Sequence, residues 1–233
     1  MAPPGLTISI REKRFPGSEA LFRDLDLTVE PGTVLAILGR SGVGKSTLLR
    51  MIAGIDADYS GSILVDGQPA SRAAAPGYVF QDPRLLPWLT IGENIRLGDP
   101  QLTDADVENL LARVELSGTG GAFPHALSGG MQRRAALARA LANRSGLILL
   151  DEPFVSLDTG LAQEMRGLLS ALLGERAMTA ILVTHDPTDA AVLADRVLVL
   201  SGRPARIAQQ HELPVARSGR DPVVLAQYRD ILS

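Results

Sequence analysis

Apolar and polar residues alternate over 6–10 (LTISI) and 25–29 (LDLTV), the period-two pattern of half-buried strands. The run 33–38 (TVLAIL) is a short, β-rich apolar strand, and 45–53 (KSTLLRMIA) carries its apolar residues at helical spacing. Two more strand signals follow, at 62–65 (SILV), between Gly61 and the Asp66-Gly67 turn pair, and at 77–80 (GYVF). The pattern then changes. Pro83, Pro87, Gly98 and Pro100 interrupt the chain, and 103–116 (TDADVENLLARVEL) opens with a capping signature and carries a helical apolar stripe. A second helix is predicted over 131–143 (MQRRAALARALAN), ending before Gly146, and 147–150 (LILL) is apolar throughout, as a buried parallel strand would be.

From there helix and strand alternate at 160–173, 180–184, 187–194 and 197–200, the βαβ order of a parallel sheet. A Ser201-Gly202 turn separates two short apolar runs within 199–209, and 221–232 reads as a closing surface helix. The expected fold class is therefore α/β in a single domain over 1–233. Its core comes from 1–81 and 146–233, with an antiparallel β layer leading into a mainly parallel sheet, and a helical subdomain is inserted at approximately 82–145.

Composition narrows the function. A length of 233 residues suffices for one large domain with a full hydrophobic core. Lys plus Arg total 23 against 26 for Asp plus Glu, a net charge of −3 that offers no basic excess for a nucleic-acid partner. Without cysteine there is neither a disulfide framework nor a thiolate metal site. Residues 1–15 lack the apolar segment of a signal peptide, and no apolar run reaches the length needed to cross a bilayer. Any membrane role is expected to run through a partner.

The chemistry concentrates at 39–47 (GRSGVGKST), which fits G-x-x-x-x-G-K-[ST] at Gly39, Gly44, Lys45 and Ser46. Strand, loop and helix lie where that motif needs them. Without side chains at Gly39, Gly42 and Gly44, the backbone of Gly39, Arg40, Ser41, Gly42, Val43 and Gly44 can wrap a phosphate chain with its N–H groups inward. The helix start at Lys45, Ser46 and Thr47 adds partial positive charge. Lys45 would reach the β- and γ-phosphates, and the Ser46 hydroxyl is placed to ligate Mg²⁺.

Further along, LILL ends in Asp151 and Glu152, at the carboxyl end of a parallel strand where α/β folds handle ligands. Successive side chains on a strand point to opposite sides, so Asp151 is expected to hold the Mg²⁺ shell and Glu152 to polarise the attacking water. His185 ends a neighbouring strand and is expected to contact the γ-phosphate and orient that water. The segment Leu127-Ser128-Gly129-Gly130-Met131-Gln132 opens another helix on glycine, a second anion-binding end. A nucleotide already gripped by Lys45 has little need of both, which leaves the second end for a nucleotide on another subunit. His125 and His211 have no comparable context.

Phosphate loop, Gln81, LSGGMQ, LILLDEP, Ser156-Leu157-Asp158 and His185 occur in the order found in ATP-binding-cassette (ABC) ATPases, and the chain resembles that family over nearly its whole length. The resemblance implies an ABC-type P-loop ATPase with a RecA-like core sheet. Two ATP molecules would lie between two head-to-tail subunits, with Ser128, Gly129, Gly130 and Gln132 facing the nucleotide of the other copy or of a paralogue. It further implies that Gln81 joins the Mg²⁺ and water environment, that 156–158 communicate across the dimer, and that Phe15 stacks on adenine. Leu157, Arg40 and Met131 depart from the family's usual residues without removing a catalytic group.

The wording of QDPRLLPWLTIGENI, DEPFVSLD and VTHDPTDAAVLADRVLVLSGRPARI is similar to the nitrate, sulfonate and taurine importer branch, which includes thiamine-precursor systems. That likeness implies integral permease subunits docked near 82–89, a solute-binding protein acting indirectly, and a place at the cytoplasmic face of the plasma membrane. An exporter or lipoprotein-release ATPase is the alternative expectation, since the hydrolysis chemistry is shared.

Overall fold

The runs that are apolar throughout form the interior of a sheet in the computed structural model, which describes residues 2–175 and 178–232. In chain order the elements are β1 (Leu6–Arg14), β2 (Ala20–Val29), β3 (Val34–Gly39), α1 (Lys45–Ile52), β4 (Ser60–Val65), β5 (Gln68–Pro69) and β6 (Gly77–Val79). Next come α2 (Ile91–Arg96), α3 (Asp104–Arg113), α4 (Gly129–Ala142), β7 (Leu147–Asp151), α5 (Thr159–Glu175) and β8 (Thr179–Thr184). The chain continues through α6 (Pro187–Leu193), β9 (Arg196–Ser201), β10 (Arg206–Glu212) and α7 (Pro222–Leu232).

Six strands pair in the order β10-β9-β3-β8-β7-β6, parallel except for the antiparallel pair β9–β10, and β2-β1-β4-β5 make a separate antiparallel sheet. Side chains alternate across the larger sheet. Val34, Ala36, Leu38, Ile148, Leu150, Ala180 and Leu182 face one apolar layer, together with residues of α2, α3, α4, α5, α6 and α7. Leu35, Ile37, Leu147, Leu149, Ile181 and Val183 face the other, with α1 and the inner face of β1, β2 and β4. Each fully buried branched side chain contributes about 1.5–3 kcal/mol. The sheet sandwiched between these layers is accordingly the rigid element that fixes which strand ends meet.

The periodic signals land on the observed elements, with differences at their edges. Residues 103–116 were expected to be one helix, yet α3 stops at Arg113, and Glu115 turns the chain at φ 57°. Helix α2 was not anticipated in the proline-interrupted stretch. It is short, and its start is fixed by a reciprocal cap in which the Thr90 hydroxyl accepts from Glu93 N and the Glu93 carboxylate accepts from Thr90 N. The edge strand β10 contains the second of the two short apolar runs around the Ser201-Gly202 turn and continues to Glu212 without a buried residue.

Candidate phosphate-binding and catalytic site

Strands β3, β8 and β7 lie side by side in register, with Leu38 opposite Thr184 and Val183 opposite Asp151. Their carboxyl ends therefore deliver the glycine loop, His185 and the Asp151-Glu152 pair to one place. There a cleft of about 520 Å³ is lined by Ser41, Gly42, Gly44, Lys45, Ser46, Thr47, Gln81, Glu152 and His185, and further by Phe15, Leu21, Val155 and Arg203; Asp151 is not among its lining residues and meets it through Ser46.

The loop conformation depends on its glycines. Gly44 has φ 111°, and a Cβ there would lie 2.7 Å from Phe22 Cζ; Gly42 has φ 81° in open space. Any side chain at Gly44 meets both a strained backbone and the buried Phe22 ring. Helix α1 thus starts on a left-handed glycine, with no side-chain cap and no acidic residue in its first turn. Its first N–H groups and partial positive charge remain available to an anion.

Lys45 is 4% exposed, and its Nζ donates to Gly39 O at 2.8 Å and lies 3.2 Å from Glu152 Oε1. Gly39, Arg40 and Val43 supply the loop's backbone without lining the cleft, and the Arg40 carbonyl lies 3.4 Å from Lys45 Nζ. On the other side of the loop the Ser46 hydroxyl donates to Asp151 Oδ1 at 2.7 Å. Tyr78 OH donates to Asp151 Oδ2 at 3.1 Å, and burial together with the Asp151 charge pushes the phenol well above its ordinary range, so it stays a donor.

Glu152 corrects one expectation about the acidic pair. It does not continue the strand but turns at φ 47°, its N–H donating to Val183 O at 2.9 Å. Alternation along a strand is consequently not what separates Asp151 from Glu152. A left-handed turn does so, leaving Asp151 beside Ser46 and swinging Glu152 between Lys45 and His185. The Glu152 Oε2 to His185 Nδ1 distance is 2.9 Å.

The turn carrying His185 is braced from behind. Thr184 donates to Asp189 at 2.6 Å, and Arg166 donates to Asp189 at 2.7 Å and to Asp186 at 3.1 Å. Asp189 is 3% exposed, and burial pushes its carboxyl up despite these donors. Phe15, on the turn between β1 and β2, is 40% exposed, with Lys13 Nζ 4.9 Å from its ring centroid.

The second glycine-opened helix lies elsewhere. Among the described residues lining the cleft there is no Ser128, Gly129, Gly130 or Gln132. Ser128 caps α4 by accepting from Met131 N, and the Gln132 amide turns back to donate to Pro124 O and Leu127 O. Gln81 reaches the cleft from the end of β6, and its carbonyl accepts from Arg133 at 2.8 Å.

Tyr78, Leu21, Val155 and Arg203 are site residues that sequence reasoning missed. The alternation within GYVF could have flagged Tyr78, whereas Leu21 and Arg203 reach the cleft only through pairing between distant segments.

A family model for ABC transporters matches residues 22–155. The aliphatic sulfonates import ATP-binding protein SsuB 2 of Burkholderia cenocepacia is 42% identical over 232 residues, covering 97% of this chain and 86% of that protein. The corresponding SsuB 1 protein of Pseudomonas aeruginosa is also 42% identical, over 97% of this chain and 94% of its own length. Among solved structures, cbiO1 from Clostridium perfringens, described as part of the ABC transporter complex cbiONQ, superposes with a TM-score of 0.76 at 28% identity, covering 89% of this chain and 88% of that one. An ATP-binding cassette solved as a dimer in a post-hydrolysis state with ADP and Pi gives 0.76 at 27% identity, over 91% and 99%.

Proposed function

The chain belongs to the ABC transporter family and is an ATP hydrolase, and on that premise we propose that it powers an importer for aliphatic sulfonates, working as a head-to-tail pair beneath a membrane permease. The observation that carries the catalytic part is the pairing of Lys45 with Glu152, of Glu152 with His185 and of Ser46 with Asp151 at one cleft. The importer and its solute class rest on the relatives, which are named as sulfonate import subunits.

In this reading the loop 39–47 wraps the phosphates with backbone N–H groups, and Lys45 leaves Glu152 to pair with the β- and γ-phosphates. Ser46 and Asp151, with Gln81 at the rim, form a small all-oxygen donor set. Mg²⁺ accepts such a set when substrate phosphates and water complete its shell. When bound, the ion would supply charge neutralisation to the phosphates. Glu152, freed from Lys45, accepts a proton from the attacking water, and His185 holds Glu152 and meets the γ-phosphate. Positioning and electrostatics carry the rate. Residues Ser128, Gly129, Gly130 and Gln132 close over the nucleotide of the second copy.

No helix among the described residues is long and apolar enough to cross a membrane, so attachment at the cytoplasmic face would come through the permease. The docking patch we assign is 85–89, where Trp88 is 69% exposed. A fully buried Asn94 pins this patch: its side-chain oxygen accepts from Leu86 N at 2.7 Å and its amide donates to Leu86 O, Leu89 O and Thr90 O. Arg139 donates to Pro83 O and Arg84 O from α4. The patch is thereby fastened to α2, and the residues just before it to α4, two helices of the 82–145 unit, which we infer moves as one body with it.

Glu152→Gln tests the catalytic assignment. It keeps shape and removes the base, and turnover should fall by a factor on the order of 10² or more, with ATP binding retained in an equilibrium titration. Hydrolysis at the parental rate would remove Glu152 from this role.

A further inference from the structure

Lys45, Ser46, Gln81, Glu152 and His185 mark one part of the cleft, joined by Ser41 and Thr47 of the loop and helix start and by Val155, whose N–H donates to Glu152 O; Phe15, Leu21 and Arg203 line it as side chains of another kind. Two turns from two different sheets flank that second part. The β1–β2 turn presents Phe15, and the turn between β9 and β10 presents Arg203.

Backbone pairing holds the two turns together. Gly39 pairs with Leu200 at the end of β9, so the strand leading into the second turn runs beside the start of the phosphate loop. After the turn, Ala205 N donates to Leu21 O at 2.8 Å and Ala205 bridges to Phe22, tying it to β2. Leu21 and Phe22 in turn pack against Gly44.

The Phe15 ring has Lys13 beneath it. Only two lysines occur in the chain, Lys13 and Lys45. Lys13 is 2% exposed, held by Asp56 at 2.8 Å and the Asp58 carbonyl at 2.6 Å. A fixed cation under the ring leaves the rest of Phe15 as a platform toward the cleft. Arg203 is exposed and makes no hydrogen bond or ion pair among the described residues. A free guanidinium on the rim of a cleft that takes a nucleotide has two options: a phosphate, or the flat face of a base.

The geometry points to Arg203 as a nucleotide-binding residue that covers the purine from the side opposite Phe15. The assignment rests on the ATP-hydrolase reading of the same cleft. The phosphate part is already furnished with Lys45, the loop amides and the start of α1, to which Ser41 and Thr47 belong, whereas Arg203 is the polar lining side chain that the two turns bring. A guanidinium is planar and weakly hydrated and stacks on aromatic faces. An aromatic ring below and an arginine above would make a two-sided clamp, selecting flat bases and leaving the phosphates to the loop.

The test compares equilibrium binding of ATP with that of inorganic triphosphate. The unaltered chain is set against Arg203→Ala, Arg203→Lys, Phe15→Ala and the Phe15→Ala/Arg203→Ala double variant. Arg203→Ala should weaken ATP about tenfold, as expected for loss of a desolvated stacking cation, while triphosphate binds as before. Arg203→Lys should not restore the loss, because charge without a plane does not stack. The double variant should lose less than the product of the two single losses, since both residues hold one base. Unchanged ATP affinity in Arg203→Ala, an equal loss for triphosphate, full rescue by lysine, or multiplicative losses would each overturn the clamp. Lys45→Ala, expected to lose both ligands, separates failure of the clamp from failure of the underlying site.

Discussion

Helix α1 begins at Lys45 behind Gly44, and α4 begins at Gly129 behind Ser128, yet their surroundings differ in every respect that bears on function. The start of α1 is uncapped by any side chain, holds a buried lysine, and faces Gln81, Glu152 and His185 across the cleft. The start of α4 is capped by Ser128, has exposed Ser128 and Gly129, and borders none of the residues that line that cleft. One helix start is surrounded by its own chain's candidate catalytic groups. The other is a serine-capped helix start without any. The contrast teaches that glycine before a helix specifies only that the backbone can approach a ligand; the neighbouring strand ends decide whether chemistry follows.

Removing the cation from the furnished end should have the largest effect. Lys45 Nζ is held by Gly39 O and lies beside Glu152, poised to exchange the carboxylate for phosphate oxygens. Charge-assisted hydrogen bonds are worth about 1.5–3 kcal/mol each, so Lys45→Ala should weaken ATP by a factor on the order of 10² or more in a direct titration. A variant that still binds ATP tightly would erase the distinction between the two helix starts.

Adding charge to the unfurnished end should act on a different quantity. A Cβ at Gly129 meets nothing within 4 Å, so Gly129→Asp should fold, and a carboxylate in the first turn favours the helix. Binding of ATP to the chain should be retained, because Gly129 lies outside the cleft. Hydrolysis should fall by roughly tenfold or more, the mark of a lost oxyanion-type contact, since the new charge would face the γ-phosphate held by the other copy. Parental hydrolysis in Gly129→Asp would remove α4 from the catalytic assembly.

These contrasts were legible in the sequence to different degrees. The loop 39–47 could be read because its backbone demands are written as glycines, and Gly44 has both the positive φ and the close Phe22 contact that exclude other residues. Asp151 and His185 could be read because apolar strands end at them. The turn at Glu152 could not, since a left-handed glutamate carries no glycine to announce it and is stabilised by its N–H to Val183 O from the next strand. Helix α2 escaped although Thr90-Ile91-Gly92-Glu93 contains the reciprocal cap, because the surrounding prolines dominate the pattern. Arg203 reaches the cleft only because Ala205 is zipped to Leu21, a pairing no local pattern encodes. Local backbone chemistry is written locally; side chains that meet through sheet registry are not.

The smallest expected effect separates two duties of Ser128. Its hydroxyl oxygen accepts from Met131 N, which caps α4, and its proton is then free to be donated outward. If capping were its only duty, Ser128→Ala would cost about 1 kcal/mol, a fall of roughly 2–4 °C in Tm for a chain of this size. Ser128→Asp would restore the cap, because aspartate ranks with serine at this position, and hydrolysis would follow stability back up. The head-to-tail arrangement predicts otherwise: Ser128→Asp regains the Tm in a thermal melt while its hydrolysis stays low, because the restored cap carries a negative charge to the position where the other copy's γ-phosphate arrives. Concerted recovery of both quantities would reduce Ser128 to a helix cap, and with it the main reason for assigning the start of α4 to a second nucleotide.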